Sequence, residues 1–332
     1  MAKPLSILGL IVIGLGVFFQ LDASPSLYIA DLLVKIYPNI LQQQFNDSVI
    51  LITGASEGIG AETALQLCSK TNANLILLAR SKEKLQRIQN DCEDVSSKNS
   101  SGAKAVWVQG DVTKGEKMLT KWLHSALKEL DQTEVDIAIV NAGRTQRSPA
   151  LDTHEEVSRS ILELNVLGSI STVKAVMSTY VSNKPKQLIA LSSIAGKMPV
   201  PLGSTYSASK AAVQNYFDSV RAEHPEIRVT TVCAGPVATD IAKNAFGASL
   251  IELPKVEAEK KENKMNIERG VNLMLAGSVM SPYFIYHELW LSTQPYLTYM
   301  YIFQYLPDLG KLLGSIIGPK RIETWKKGES IY

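Results

Sequence analysis

Thr53-Gly54-Ala55-Ser56-Glu57-Gly58-Ile59-Gly60 is the stretch that decides the fold. An apolar, β-branched run at 48–53 precedes it and helix formers at 57–70 follow, so its three glycines occupy a strand-to-helix turn. Glycine permits the tight turn, and it lets backbone N–H groups approach a pyrophosphate whose charge the helix N-terminus also favours. Further strand-like runs lie at 73–79, 104–110, 135–140, 186–193, 227–233 and 284–291. Amphipathic helical patterns fill the gaps at 81–95, 115–130, 153–181, 205–222 and 267–280. This alternation predicts an α/β chain, a Rossmann-type doubly wound seven-stranded parallel sheet with helices on both faces. Gly54, Ser56, Glu57, Gly58, Ile59 and Gly60 then form the dinucleotide turn.

The second strand ends in Leu78-Ala79-Arg80, where a site built for NAD would carry an acid on the ribose hydroxyls. A guanidinium there suits a 2′-phosphate, so the expected cofactor is NADP(H) rather than NAD(H). Asp111 and Val112 close the third strand and Asn141 the fourth, at the carboxyl ends where open α/β sheets bind ligands. The same glycine turn also reads as GxSxG, which raises a serine hydrolase using Ser56. A hydrolase elbow normally follows several strands and an oxyanion loop, whereas this one follows the first strand.

The 332 residues suit one large catalytic domain, 48–292, with an appendage at each end: a segment at 1–22, a linker at 23–47 and an extension at 293–332. A net charge of +2, with no basic block interleaved with aromatics, argues against a nucleic-acid partner. Cys68, Cys92 and Cys233 have neither disulfide-framework nor zinc spacing, and the four histidines are scattered, so no metal is expected. His154 lies in Thr153-His-Glu-Glu156, which reads as a capping box. Residues 5–19 form an apolar run after a single Lys3, expected as a retained membrane anchor. If it is instead cleaved as a signal peptide, the enzyme is secreted or lumenal. From 283 to 301 the chain is crowded with tyrosines, Phe284 and Trp290, and Lys320, Arg321, Lys326 and Lys327 follow. That composition suits either core packing or a face turned to a bilayer or a lipophilic substrate. The stretch 254–266 reads as a lid or a solvated helix.

The glycine turn, Asn141-Ala-Gly143, Ser192-Ser-Ile-Ala-Gly196, Tyr206-x-x-x-Lys210 and Gly235-Pro236, in this order and spacing, resemble the short-chain dehydrogenase/reductase family over 48–291. The tail further resembles the branch called dehydrogenase/reductase member 7. The resemblance implies that Tyr206 is the general acid/base. Lys210 also holds the nicotinamide ribose, Ser193 binds the substrate oxygen, and Asn165 helps hold a proton-relay water. Val237 and Thr239 clasp the nicotinamide end of the cofactor. For Asn165 a purely structural role, a buried amide bonding backbone, stands beside this one. A second YxxxK, Tyr180 to Lys184, is set aside because the residue thirteen before it is Leu167, whereas thirteen before Tyr206 is Ser193. The chain departs from the family pattern at Val140, where Asn is common, and at Glu57, which puts an acid near the phosphates.

The chemistry accounts for the residue types. A carbonyl taking hydride develops negative charge on oxygen and needs a nearby proton donor. A tyrosine with pKa about 10 is poorly matched to that task at neutral pH, and a lysine one helical turn on favours the phenolate. The expectation is an NADP(H)-dependent enzyme interconverting carbonyl and alcohol on a lipophilic steroid, retinoid or xenobiotic, at the endoplasmic reticulum membrane. Pairing into a homo-oligomer through the long helices accompanies the resemblance. The alternative is a catalytically weak, membrane-tethered NADP-binding scaffold.

Overall fold

The computed structural model describes residues 21–37, 39–179, 187–251, 264–280 and 287–327. The apolar run 5–19, Tyr180 with Lys184, residues 284–286 of the last expected strand and most of 254–266 lie outside the described residues.

Seven strands form one sheet: β1 Val49–Thr53, β2 Asn74–Ala79, β3 Lys104–Gln109, β4 Ile137–Val140, β5 Gln187–Ser193, β6 Arg228–Ala234 and β7 Glu288–Leu291. Their order is β3-β2-β1-β4-β5-β6-β7 and every pairing is parallel. Parallel strands buried on both faces must be apolar throughout, and β1, VILIT, is buried at all five positions. Its pleat divides the core: Ile50 and Ile52 pack with Leu67, Leu85 and Met274, while Val49 and Leu51 pack with Leu119, Val173 and Phe217. The helices carrying these partners are α3 Gly58–Lys70, α4 Lys82–Asn99 and α9 Ile267–Met280 on the first face. On the second they are α5 Glu116–Glu129, α7 Gly168–Ser178 and α8 Ser204–Glu223. The chain order reverses between β1 and β4, which opens a crevice at their carboxyl ends.

Several local expectations need correction. The helix expected over 153–181 is α6 Glu155–Leu162, a π-helical turn Glu163–Leu167, and α7. Just after the π-helical turn, Gly168 lets α7 pack closely on the loop after β3, since a Cβ there would stand 2.6 Å from Val112. The region 155–178 is long and apolar enough to cross a membrane, yet here it packs against α5 and α8. The capping box does not form. The N-cap of α6 is His154 without a side-chain bond, and Thr153 Oγ1 donates to the Pro149 carbonyl instead, at 2.9 Å. The helix expected over 81–95 runs on to Asn99 as α4. Ser96 is buried there and donates to the Ala103 carbonyl at 3.1 Å, which satisfies its hydroxyl inside the fold.

Residues 23–47, expected as a linker, contain α1 Pro25–Ile36 and α2 Asn39–Phe45, whose Leu27, Leu41 and Phe45 join the main core. Arg269 ties α1 to α9 by pairing with Asp31 at 2.7 Å and Asp22 at 3.4 Å. At the other end α10 Tyr296–Tyr305 and α11 Pro307–Lys326 form the extension. Trp290 of β7 packs edge-on to Tyr301 of α10, 4.9 Å between centroids, so part of the aromatic crowd is core. Beyond it, Tyr305, Leu306, Leu309, Leu312 and Ile316 are exposed along α10 and α11.

Candidate active site

Two cavities meet at the crevice. The larger, about 320 Å³, is lined by Gly54, Ser56, Glu57, Gly58, Ile59, Arg80, Asp111, Val112, Asn141 and Thr239, all of them expected cofactor residues. Gly54 and Gly58 have φ of +67° and +59°, the left-handed region that favours glycine. Gly60 lines neither cavity. A Cβ there would stand 2.4 Å from the Gly54 carbonyl oxygen, so its role is to let α3 press against the turn. Asn141 braces the floor, its Nδ2 donating to the Thr53 carbonyl at 2.9 Å while its own N–H donates to Thr53 Oγ1 at 3.0 Å. Asp111 accepts from the Thr113 N–H and hydroxyl at 3.0 and 2.9 Å, which fixes the loop after β3.

Sequence reasoning missed Lys84, Arg144 and Asn244 in this cavity. Glu57, the unusual acid, takes a salt bridge from Lys84 on one carboxylate oxygen and a 2.7 Å hydrogen bond from Asn244 on the other. Arg144 donates in turn to the Asn244 carbonyl, and its guanidinium lies 3.7 Å from the Phe246 ring centroid. Burial, and then nearby Arg80, lower the Arg144 pKa, and both guanidinium side chains belong to the lining of this cavity. Glycine-turn backbone, a helix N-terminus and clustered cations fit a phosphorylated dinucleotide. Ser56 belongs to this cavity, and no histidine among its described lining residues could activate it as a nucleophile.

The smaller cavity, about 160 Å³, brings together Tyr206, Lys210, Ser193 and Val237, and shares Ile59, Asn141, Gly143 and Thr239 with the first. Tyr206 and Lys210 are one turn apart on α8, and the Lys210 Nζ is 5.8 Å from the Tyr206 ring centroid. That ammonium is buried and donates to the Leu191 carbonyl at 2.7 Å, and burial lowers its pKa to about 8. Ser193 ends β5, accepting from the Ala195 N–H and donating to the Ala234 carbonyl, both at 3.1 Å. Its neighbour Ser192 also lines this cavity, and its hydroxyl donates to the Lys210 carbonyl at 3.0 Å, which ties α8 to β5.

Asn165 lines neither cavity. Fully buried in the π-helical turn, its amide accepts from the Arg144 N–H at 2.9 Å and donates to the Arg144 carbonyl at 3.0 Å and Ser209 Oγ at 2.9 Å. The side chain is thus a brace for the loop after β4, the structural role weighed beside the catalytic one. It lies directly behind the site all the same: a Cβ on Gly143 would be 3.2 Å from Asn165 Oδ1 and 3.3 Å from Lys210 Nζ. Val140 is a buried strand end with no polar duty. Sequence reasoning also missed Arg147, Lys264, Tyr296 and, as a cavity residue, Arg321 of α11, which complete the lining.

A parallel sheet with its switch-point crevice, a glycine turn and a half-buried tyrosine one helical turn from a buried lysine define a dinucleotide-dependent oxidoreductase fold. The sequence pattern of the short chain dehydrogenase family matches residues 48–249. The human protein named dehydrogenase/reductase SDR family member 7 is 33% identical over 288 residues, 86% of this chain and 82% of that one. A short-chain dehydrogenase/reductase from Burkholderia phymatum in complex with NAD superposes with a TM-score of 0.64 at 18% identity, over 80% of this chain and 95% of that chain. An alcohol dehydrogenase from Thermococcus sibiricus complexed with 5-hydroxy-NADP gives a TM-score of 0.60 at 21% identity, over 74% and 97%. This chain belongs to the short-chain dehydrogenase/reductase family of oxidoreductases.

Proposed function

We propose that the protein is an NADP(H)-dependent oxidoreductase that interconverts a carbonyl and an alcohol on a lipophilic substrate, with Tyr206 as general acid/base. The observation that carries this reading is the shared wall: Tyr206, Lys210 and Ser193 line a cavity that opens into the dinucleotide cavity at Ile59, Asn141, Gly143 and Thr239. When bound, the nicotinamide supplies or receives the hydride. Ser193 presents a hydroxyl to the substrate oxygen, Tyr206 gives or takes the proton there, and the Lys210 ammonium favours phenolate. Apolar walls from Ile194, Met198, Val200 and Pro236 suit a lipophilic body. The purified protein is expected to oxidise NADPH in the presence of some member of a steroid, retinoid and quinone carbonyl panel. Tight NADPH binding with no turnover across that panel would point to the scaffold instead.

Arg80 and Lys84 at the cavity edge support the phosphorylated cofactor. Glu57 opposes it, because it occupies Lys84 and puts a negative charge beside the phosphates. Glu57→Gln is therefore expected to tighten NADP⁺ binding by about three- to tenfold at low salt, read by fluorescence titration. An unchanged or weaker affinity would show that the carboxylate is needed to hold Lys84 and Asn244 in place. The apolar run 5–19, with exposed Ile29, Leu32 and Ile36 on α1 and the apolar stripe of α11, supports a membrane-bound enzyme, assigned here to the endoplasmic reticulum.

A further inference from the structure

Tyr206, Lys210 and Gln214 stand four residues apart on α8, so they lie on one stripe of the helix, and that stripe meets the carboxyl end of β5. Each of the last three residues of β5 is held from it. The Lys210 ammonium donates to the Leu191 carbonyl at 2.7 Å. The Gln214 amide, in a side chain only 4% exposed, donates from Nε2 to the Ser192 hydroxyl at 2.8 Å and to the Ser193 carbonyl at 3.1 Å, with the Cys233 sulfur of β6 at 3.3 Å. Ser192 donates its own proton to the Lys210 carbonyl at 3.0 Å, so a hydrogen-bonded chain runs from Gln214 through the strand and back to the helix. The short turn Ile194–Gly196 fits against this contact because Gly196 has no side chain. A Cβ there would stand 2.4 Å from Gln214 Nε2 and 2.8 Å from the Lys210 carbonyl carbon.

Within the sheet, Ser193 is paired with Ala234 of β6, which fixes it among the strands but does not set its place relative to Tyr206. That depends on how α8 sits on β5. A buried amide is costly unless its donors are satisfied, and a satisfied one specifies a single arrangement of the elements it joins. Gln214 is absent from the described lining of both cavities, so its effect on the reaction must pass through other residues.

We propose that Gln214 is a positioning residue: its amide sets the register of α8 on the end of β5 and thereby places the Ser193 hydroxyl opposite Tyr206. This inference rests on the oxidoreductase reading above and deepens it by a residue about two helical turns beyond the proton donor. No bond to a reacting atom forms or breaks at Gln214. Its contacts hold the geometry in which a substrate oxygen accepts from both hydroxyls, and a misplacement on the order of 1 Å there costs about a hundredfold in rate.

Gln214→Met keeps the length of the side chain and removes both N–H donors. In the full-length enzyme, with a carbonyl it reduces, kcat should fall by roughly ten- to hundredfold while the dissociation constant for NADPH stays within about threefold. Val213→Ala, which loosens the same helix in the second core and leaves these polar contacts alone, should keep kcat within about threefold of wild type. In a Ser193→Ala background, with residual activity read in a single turnover, Gln214→Met should cost less than about threefold, because the group it positions is already gone. Hydrogen exchange reads the same hold without substrate. The segment 192–197, which contains the Ala195 N–H bonded to Ser193 Oγ, should exchange at least about tenfold faster in Gln214→Met, while 228–233 of β6 keeps its rate. If Gln214→Met does not fold, Gln214→Asn, one methylene short, carries the same measurements with smaller expected losses. An equal loss of kcat in Val213→Ala, an undiminished loss in the Ser193→Ala background, or unchanged exchange at 192–197 overturns the proposal. A wild-type protein that turns over no carbonyl defeats the oxidoreductase reading instead, and the exchange comparison still decides whether Gln214 holds the strand to the helix.

Discussion

Tyr206→Phe is expected to lower kcat by roughly a thousandfold while the dissociation constant for NADPH changes by less than about threefold. The replacement keeps the half-buried ring and removes only the hydroxyl, so α8 and its Lys210 should hold their places. Tyr206 lines the substrate cavity and is absent from the lining of the dinucleotide cavity, which is why the effect should fall on turnover rather than on cofactor binding. Stopped-flow reduction of a good carbonyl substrate, beside a fluorescence titration of NADPH, separates the two. Full turnover in the phenylalanine variant would remove Tyr206 from the chemistry, and a large loss of cofactor affinity would make it a binding residue.

Lys210→Met should lower kcat by about a hundredfold or more, because the charge that favours phenolate is gone. The same change leaves a distinct mark on stability. In the folded protein burial holds this ammonium's pKa at about 8 against an ordinary 10.5, while the unfolded chain keeps the ordinary value. Between those two pH values the unfolded state binds more protons, so stability rises with pH across the window, and below it the full cost of the buried charge is present. That cost is about 3 kcal/mol. Urea unfolding from pH 7 to 10 should show wild type gaining up to about 3 kcal/mol relative to Lys210→Met, whatever constant offset follows from losing the bond to the Leu191 carbonyl. Parallel curves would mean that the charge is solvated.

The residues gathered at the Tyr206 cavity were legible to different depths. Tyr206 and Lys210 stand one turn apart, and Ser193 ends the strand against which that helix packs, so local spacing was enough to place all three. The glycine turn was legible because its needs are partly local: Gly54 and Gly58 take left-handed backbone angles and Gly60 meets the Gly54 carbonyl, while the approach of Asn141 and Ala142 to Gly54 and of Thr239 to Gly58 is set by packing. Glu57 could be marked as unusual, but its partners Lys84 and Asn244 come from positions 27 and 187 residues away and are set by packing alone. Asn165 was found by its motif, and only the structure shows its amide spent on Arg144 and Ser209. Thr153 does not cap because the helix starts one residue later, with His154 at the N-cap, and its hydroxyl donates to the Pro149 carbonyl while accepting from Gln146 Nε2. The first helix within 23–47 went unread because apolar residues lie on more than one of its faces, with Ile29, Leu32 and Ile36 exposed beside buried Leu27 and Ala30, so no single buried face stands out in the sequence.

The cavity wall supplied by the C-terminal helices divides labour along the chain. Tyr206, Lys210, Ser193 and the glycine turn fall inside residues 48–249, the stretch shared with the family at large. Lys264, Tyr296 and Arg321, which line the Tyr206 cavity proposed for the substrate, all come after it. Substitutions in the tail can therefore change which molecule is admitted while the proton-transfer apparatus stays as it was.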